Sequence, residues 1–237
     1  TSSKTTPPLL LSYTPNDISV DYDENVTGLY EHIGNSNWEA ATKRCEQYPT
    51  EAATWVVRYQ RDNHGNKQTN PTTSTPQVLW RFLPIHSACA LNPPVSFLQT
   101  LLKAYTNSSR TLDDQGMLPL HYACGAKCTR EVLYQLLMSF PQAALKEDPN
   151  GMLPLHYLAQ WGPSEDGVID MVCIATGYKV GTCKDGDGNT CEDLARSAEY
   201  SGNVDVANKI REFAMMYSSQ NGSGEDVVSQ QRVQQPY

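Results

Sequence analysis

The chain lacks several features that mark common classes of protein. Its 237 residues contain no long apolar run, and the longest one near the start, residues 9–11, is too short for a bilayer span or for the apolar part of a secretory signal. Positive charge is scarce, with 18 Lys and Arg against 26 Asp and Glu, and no block of like charge occurs. The sequence therefore predicts no membrane span and no sequence-independent binding of nucleic acid.

Motifs for catalysis and for metal binding are also missing. The sequence has no Gly-x-Ser-x-Gly, no phosphate-binding glycine-rich loop and no His-Glu-x-x-His. Cys124 and Cys128 lie near His121, but no second pair of Cys or His completes a zinc site. Residues 185–189 begin like a calcium loop, but the glycine that such a loop needs at its sixth position is absent. We therefore predict that the protein is not an enzyme and that it uses no cofactor and no metal.

The cysteines form no dense framework, and their number, seven, is odd. A chain of this length does not need disulfides to fold, so this usage predicts free thiols and an intracellular, reducing compartment, the cytoplasm or the nucleus. Because the chain begins at Thr1 and not at Met, import into an organelle after loss of a targeting peptide stays open as an alternative.

One motif occurs three times. Leu-Pro-Ile-His begins at residue 83, and Leu-Pro-Leu-His begins at residues 118 and 153, so that the copies are 35 residues apart. Apolar residues at helical spacing follow the first two copies, which predicts a unit of turn, short helix, loop and longer helix. The residues that define the motif are its prolines, its histidines and the turn glycines, namely Pro84, His86, Pro119, His121, Pro154, His156, Gly116 and Gly151.

This unit resembles the ankyrin repeat. The resemblance covers about residues 27–217 in five units, and Leu83, Leu118 and Leu153 stand where the family usually has Thr. It implies an all-α solenoid of about five stacked helix pairs with hairpin turns. It also implies that each proline opens the first helix of its unit and that each histidine joins neighbouring turns by hydrogen bonds.

The repeat period is broken after the first unit, where about 22 residues are inserted. The insertion, residues 54–82, has two β-prone runs around a polar linker, which predicts a β-hairpin finger. Trp55 and Trp80 are expected to pair across its strands, and a direct binding role for them is the alternative. Residues 1–26 and 218–237, rich in small polar residues, are predicted to be flexible tails on either side of the repeat domain at 27–217.

A partner is expected on the concave face that the hairpin tips and the first helices would form. Tyr122 and Tyr157 are predicted to form a ladder there with Met and Trp side chains, which are enriched at interface hot spots; the alternative is that the tyrosines are merely half-buried against the next repeat. The predicted partner-binding residues are Asp114, Gln115, Met117, Tyr122, Ala126, Pro149, Asn150, Met152, Tyr157, Gln160, Trp161 and Asp187.

These observations predict a protein–protein interaction module, an adaptor or scaffold, whose partner is another protein with a neutral or basic surface. Two alternatives remain. One is a structural subunit that its tails and finger anchor in a larger complex, and the other is a regulatory subunit that binds one enzyme.

Overall fold

A computed structural model describes residues 18–221, which contain three strands and ten α-helices. The strands are β1 (Ser19–Asp21), β2 (Trp55–Tyr59) and β3 (Val78–Phe82). The helices are α1 (Gly28–Gly34), α2 (Trp38–Gln47), α3 (Pro84–Ala90), α4 (Val95–Ala104), α5 (Pro119–Gly125), α6 (Arg130–Ser139), α7 (Pro154–Trp161), α8 (Val168–Thr176), α9 (Cys191–Ser197) and α10 (Asn203–Asn221). Short 3-10 turns, Pro49–Ala53, Ser108–Arg110, Pro141–Leu145 and Gly177–Gly181, follow α2, α4, α6 and α8.

The starts of α3, α5 and α7 show the local structure of the motif that occurs three times. A proline occupies the first position of each helix, where its missing N–H costs no hydrogen bond. The leucine before each proline has no side-chain oxygen with which to cap the helix. The histidine accepts a hydrogen bond from the backbone N–H of that leucine instead, as in the 3.0 Å bond from Leu118 N to His121 Nδ1.

Helix α9 begins in a related way although it lacks the motif. The backbone N–H of Thr190 donates to Asp193 Oδ2 at 2.9 Å, and Asp193 N donates to the hydroxyl of Thr190 at 3.2 Å. This reciprocal arrangement is a capping box. The aspartate therefore takes the position that histidine holds in the preceding units.

The helices pack in chain order in two rows. The first helices contact one another from α1 to α3, α5, α7 and α9, and the second helices from α2 to α4, α6, α8 and α10. Between the rows lies one cluster of buried apolar side chains that extends from Leu29 in α1 to Ile210 in α10. Phe97 and Leu133, which are fully buried, are among its largest members.

The prediction of an all-α solenoid is wrong, because the described chain contains a three-stranded mixed sheet. The inserted residues do form an antiparallel pair, β2 and β3, but this pair is not a separate finger. Strand β1 comes from the segment predicted as the N-terminal tail and pairs with β2 in parallel. The sequence signal for β1 is only three residues long and lies in a polar stretch, so it was not recognised.

Ion pairs and burial fix β1 against the hairpin. The carboxylate of Asp21 is almost fully buried and lies 2.9 Å from Arg61 Nη2 and 2.7 Å from Lys67 Nζ. Burial by itself would raise the pKa of Asp21, but the hydrogen bond from Lys67 and the charges of Lys67 and Arg61 lower it. Because both cations follow β2 in the inserted segment, they hold the N-terminal strand on the hairpin.

The expected pairing of the two tryptophans across the hairpin is also wrong. Arg58 pairs with Trp80 in the register of β2 and β3. Side chains alternate along a strand, so Trp55, three residues before Arg58, lies on the opposite face of the sheet. Trp55 is buried beneath the guanidinium of Arg81, 4.4 Å from the ring centroid, whereas Trp80 stacks on Phe82.

The predicted tails lie largely outside the described residues. Residues 1–17 and 222–237 are not among them, so the prediction of flexibility there is not addressed. Within the described range, residues 19–21 of the predicted N-terminal tail form β1, and α10 continues past residue 217 to Asn221. None of the helices in residues 18–221 has the length and apolar character needed to span a membrane.

Candidate functional site

Two buried aspartates organise the turns before α5 and α7. Asp113 Oδ1 accepts hydrogen bonds from the backbone N–H groups of Gln115 and Met117 at 2.9 and 2.8 Å. Asp148 makes the same pair of bonds in the next turn, to residues 150 and 152, each at 2.8 Å. These are side-chain bonds of the Asx-turn type, which fix a short loop without help from solvent. Gly116 and Gly151 close the turns with φ of +74°, as their place in the motif predicts.

The second oxygen of each aspartate anchors a tyrosine of the following helix. The hydroxyl of Tyr122 donates to Asp113 Oδ2 at 2.6 Å, and that of Tyr157 donates to Asp148 Oδ2 at 2.7 Å. Burial, together with the adjacent carboxylate, raises the pKa of both tyrosines well above the ordinary value, so each stays a hydrogen-bond donor. Both rings are half-buried and therefore keep part of their surface open to solvent.

The repeated histidines hold the other side of these rings. His86 contacts Tyr122, and His121 contacts Tyr157, each edge to face with ring centroids 5.9 Å apart. From Nε2, His86 reaches the carbonyl of Thr111 and His121 that of Lys146, both at 3.0 Å. Because Nδ1 accepts a backbone N–H in each case, Nε2 carries the proton and donates to the carbonyl.

The third histidine departs from this pattern. His156 accepts from Leu153 N at 2.9 Å, but its buried Nε2 has no hydrogen bond of normal geometry, although the backbone of Cys183 lies beside it. The loop that carries Cys183 is longer than the corresponding loop of the preceding unit, since Asp185 follows Asp148 by 37 residues whereas Asp148 follows Asp113 by 35. The longer loop explains why the bond is not reproduced.

Close contacts bring the three turns side by side. A Cβ at Gly116 would lie 2.9 Å from the ring of Pro149, and the N–H of Gly186 donates to Asn150 O at 2.6 Å. In the third turn, Asp185 Oδ1 accepts from the N–H groups of residues 187 and 189, as the two earlier aspartates do. The three turns therefore form one contiguous edge of the molecule.

We call the surface beside this edge the tyrosine face, defined by Met117, Tyr122, Met152, Tyr157 and Trp161. Tyr157 and Trp161 are four residues apart and so share one side of α7. A Cβ at Gly125 of α5 would lie 3.7 Å from the ring of Tyr157 and 3.9 Å from that of Trp161. Trp161 is 51% exposed although it is the largest side chain of the group.

The structure leaves all twelve predicted partner-binding residues at least partly accessible. Seven are exposed, and these are Asp114, Gln115, Pro149, Asn150, Gln160, Trp161 and Asp187. Five are half-buried, and these are Met117, Tyr122, Ala126, Met152 and Tyr157. The tyrosines are half-buried, but each ring packs on a histidine of the preceding unit and not against the next one. A role of the rings in binding stays a prediction.

The sequence interpretation missed the anchoring role of Asp113 and Asp148. A signal was present, because each aspartate precedes its tyrosine by nine residues. It also missed an aromatic cluster near β1, where Tyr22 and Phe82 contact the nearly buried ring of Tyr30 and Trp80 packs on both Tyr22 and Phe82. That cluster depends on β1, which was not predicted.

Exposed apolar side chains also occur outside the tyrosine face. Met138 of α6 and Ile174 of α8 are each 62% exposed and belong to the second row of helices. Each lies four residues from an exposed tyrosine, Tyr134 at 49% and Tyr178 at 57%, and exposed apolar side chains of this kind are ordinary for a folded protein. Met138 and Ile174 serve as matched controls for substitutions on the tyrosine face.

All seven cysteines are free, and six of them are buried. Burial raises the pKa of the Cys128 thiol to about 12. The Cys128 thiol donates to the carbonyl of Cys89 at 3.2 Å. These thiols serve the packing between helices and are not held in a reactive form.

Comparison with models of known protein families finds no match to this chain, and no curated protein matches it either.

Proposed function

We propose that this chain is a non-enzymatic protein-interaction module, an adaptor or scaffold, and that the tyrosine face binds its partner. The observation that carries the proposal is the double anchoring of Tyr122 and Tyr157. Each ring is held by a buried aspartate at its hydroxyl and by a histidine at its edge, and yet part of it stays exposed. Aromatic side chains that are ordered before binding lose little conformational entropy on binding.

Two further parts of the proposal concern the family and the compartment. The proline at the first helical position and the histidine two residues later support assignment to the ankyrin-repeat family. The seven free cysteines support a reducing, intracellular compartment.

The experiment that tests the proposal is a quantitative affinity purification with the tagged full chain. Leu91 follows the last residue of α3 and lies two periods of 35 residues before Trp161, so it holds the equivalent position in the same row of helices, beside the tyrosine face. Leu91→Ser/Trp161→Ala changes these two exposed apolar residues, and Met138→Ala/Ile174→Ser is the matched control in the second row of helices. Because tryptophan side chains in interfaces often contribute about 2 kcal/mol or more, we expect the first variant to recover its partner at least about tenfold less well.

The control variant should recover the partner as the wild type does, and both variants should melt within a few degrees of it. Equal recovery by all three proteins would contradict the proposal. Equal loss by both variants would contradict the assignment of binding to the tyrosine face.

A second candidate function, a structural subunit of a larger assembly, is favoured by one observation. Val78 and Leu79 on β3, a strand at the edge of the sheet, are 47% and 52% exposed. Exposed apolar edge strands readily pair with other chains. Leu79→Lys should abolish assembly if this candidate is right, and it should leave partner recovery unchanged if the tyrosine face is the binding site.

A further inference from the structure

Five carboxylates lie along the edge of the tyrosine face. They belong to the three adjacent turns described above and comprise Asp113, Asp114, Asp148, Asp185 and Asp187. The cations at positions 61, 67, 179 and 211, among others in residues 18–221, pair with other acidic residues, whereas the charge of Arg81 acts on Asp114. The carboxylates are stabilised instead by backbone N–H groups and tyrosine hydroxyls, which do not cancel their charge.

The groups packed behind these turns do not neutralise them either. Burial lowers the pKa of His86, His121 and His156, so these imidazoles are neutral at pH 7. Three cations lie near the row: Arg81 near Asp114, Lys146 two residues before Asp148, and Lys184 beside the last turn. Acidic groups thus outnumber cations along the edge, as they do in the whole chain, whose net charge is −8.

Aromatic rings stand directly beside this charge. The hydroxyl of Tyr157 lies 2.7 Å from Asp148 Oδ2 and 4.0 Å from the sulfur of Met117, which is on the neighbouring turn. The exposed ring of Trp161 follows one helical turn later. Exposed aromatic faces next to carboxylates suit a guanidinium group, which stacks on the ring and donates hydrogen bonds to the acid.

We infer that the tyrosine face recognises a basic segment of its partner protein, one whose arginine side chains reach the exposed turn carboxylates of Asp114 and Asp187 and lie against the tyrosine and tryptophan rings. The inference rests on the proposed function and specifies the chemistry of the partner. Arginine is favoured over lysine because its planar group both stacks on aromatic rings and forms paired hydrogen bonds to a carboxylate.

The test is a selection from a displayed library of random peptides of about ten residues, a length that spans the width of a few packed helices when extended. The bait is the tagged full chain. We expect the enriched peptides to carry net positive charge, with arginine enriched at least about twofold over the starting library.

Individual enriched peptides are then measured against two charge variants. Asp114→Asn/Asp187→Asn removes two exposed carboxylates of the turns, and Glu131→Gln/Glu212→Gln removes the same charge from the exposed surfaces of α6 and α10. We expect the turn variant to weaken binding at least about fivefold and the control to weaken it less than about twofold, because exposed charges more than about 10 Å away are screened at physiological salt.

The other outcomes are distinct. If the enriched peptides are neutral or acidic and bind Trp161→Ala less well than the wild type, the inference of a basic partner is overturned and the proposed function stands. Equal weakening by both charge variants would overturn the role of the turn carboxylates. No enrichment at all, or peptides that bind Trp161→Ala as they bind the wild type, would overturn both the inference and the proposed function.

Discussion

Replacing His121 with phenylalanine tests whether the repeated histidines hold neighbouring units together. His121 is fully buried, accepts a hydrogen bond from Leu118 N at 3.0 Å and reaches the carbonyl of Lys146 at 3.0 Å. Phenylalanine fills a similar volume but makes neither bond. The variant therefore isolates the two hydrogen bonds from the packing of the ring.

The expected loss follows from the two groups left without partners. A buried N–H or C=O that loses its hydrogen bond costs about 1–3 kcal/mol, so the loss of two should lower the free energy of unfolding of His121→Phe by about 2–6 kcal/mol. For a domain of this size, that loss corresponds to a fall in melting temperature of about 5–15 °C. His64→Phe, at an exposed position in the hairpin loop, is the control and should leave the unfolding free energy within about 0.5 kcal/mol of the wild type.

The loss in the free energy of unfolding caused by His121→Phe should also depend on pH. Burial lowers the pKa of His121, so the folded protein keeps the imidazole neutral where the unfolded chain protonates it. Below about pH 6.5 the unfolded state binds more protons, and the wild type loses up to about 1.4 kcal/mol per pH unit for this histidine until the lower, folded pKa is reached. The variant lacks this group, so the difference between wild type and variant should shrink between pH 7 and pH 5.

Urea unfolding at a series of pH values measures both effects. An unfolding midpoint for His121→Phe equal to that of the wild type at pH 7 would refute the role of the two bonds. A difference that widens on acidification would refute the pKa direction.

Three further outcomes are expected from the same kind of measurement. Tyr157→Phe removes the hydrogen bond to Asp148 and should lower the free energy of unfolding by about 1–3 kcal/mol, measured with urea. Its control is Tyr134→Phe, which should change that free energy almost not at all, because Tyr134 is 49% exposed and has no described hydrogen bond. Asp21→Asn leaves two cations beside a nearly buried amide and should cost about 3 kcal/mol, with faster amide hydrogen exchange in β1; unchanged exchange would contradict the role of the ion pairs. Gly116→Ala forces a side chain into a positive-φ turn against a proline ring and should cost at least about 1 kcal/mol, whereas Gly34→Ala, with nothing within 4 Å of the added carbon, should cost less than about 0.5 kcal/mol.

The local structure of the repeated motif could be predicted because it depends on neighbouring residues. Pro119 begins α5 and Pro154 begins α7 at the first helical position, and the turn glycine before each has positive φ. These features follow from the fixed φ of proline and the missing Cβ of glycine. The accessibility of residues on the turns could be predicted for the same reason, since turns lie at the surface.

The sheet could not be predicted from local pattern because β1 depends on distant residues. Ser19–Asp21 is short, and its strand conformation is stabilised by pairing with β2 and by cations at positions 61 and 67. The wrong prediction that Trp55 and Trp80 pair across the hairpin has a similar origin. Two residues in a hairpin pair only if the register places them opposite each other, and β-prone composition does not fix the register.

The aspartate–tyrosine pairs were recoverable in principle. Asp113 with Tyr122 and Asp148 with Tyr157 have equal spacing in the two units, nine residues in each. The hydrogen bond between the aspartate and the tyrosine could not be predicted, because it forms only when the turn folds back over the start of the helix. The exposed part of each ring follows from that geometry.

Site-specific photo-crosslinking tests the central claim most directly. A photo-reactive amino acid is placed at Trp161 and, in a separate preparation, at Met138, and each full chain is irradiated in extract of its native source. If the tyrosine face binds the partner, position 161 should give a discrete crosslinked protein that position 138 does not give, and Leu91→Ser should reduce that product. Crosslinking of the same protein from both positions, or from position 138 alone, would contradict the account.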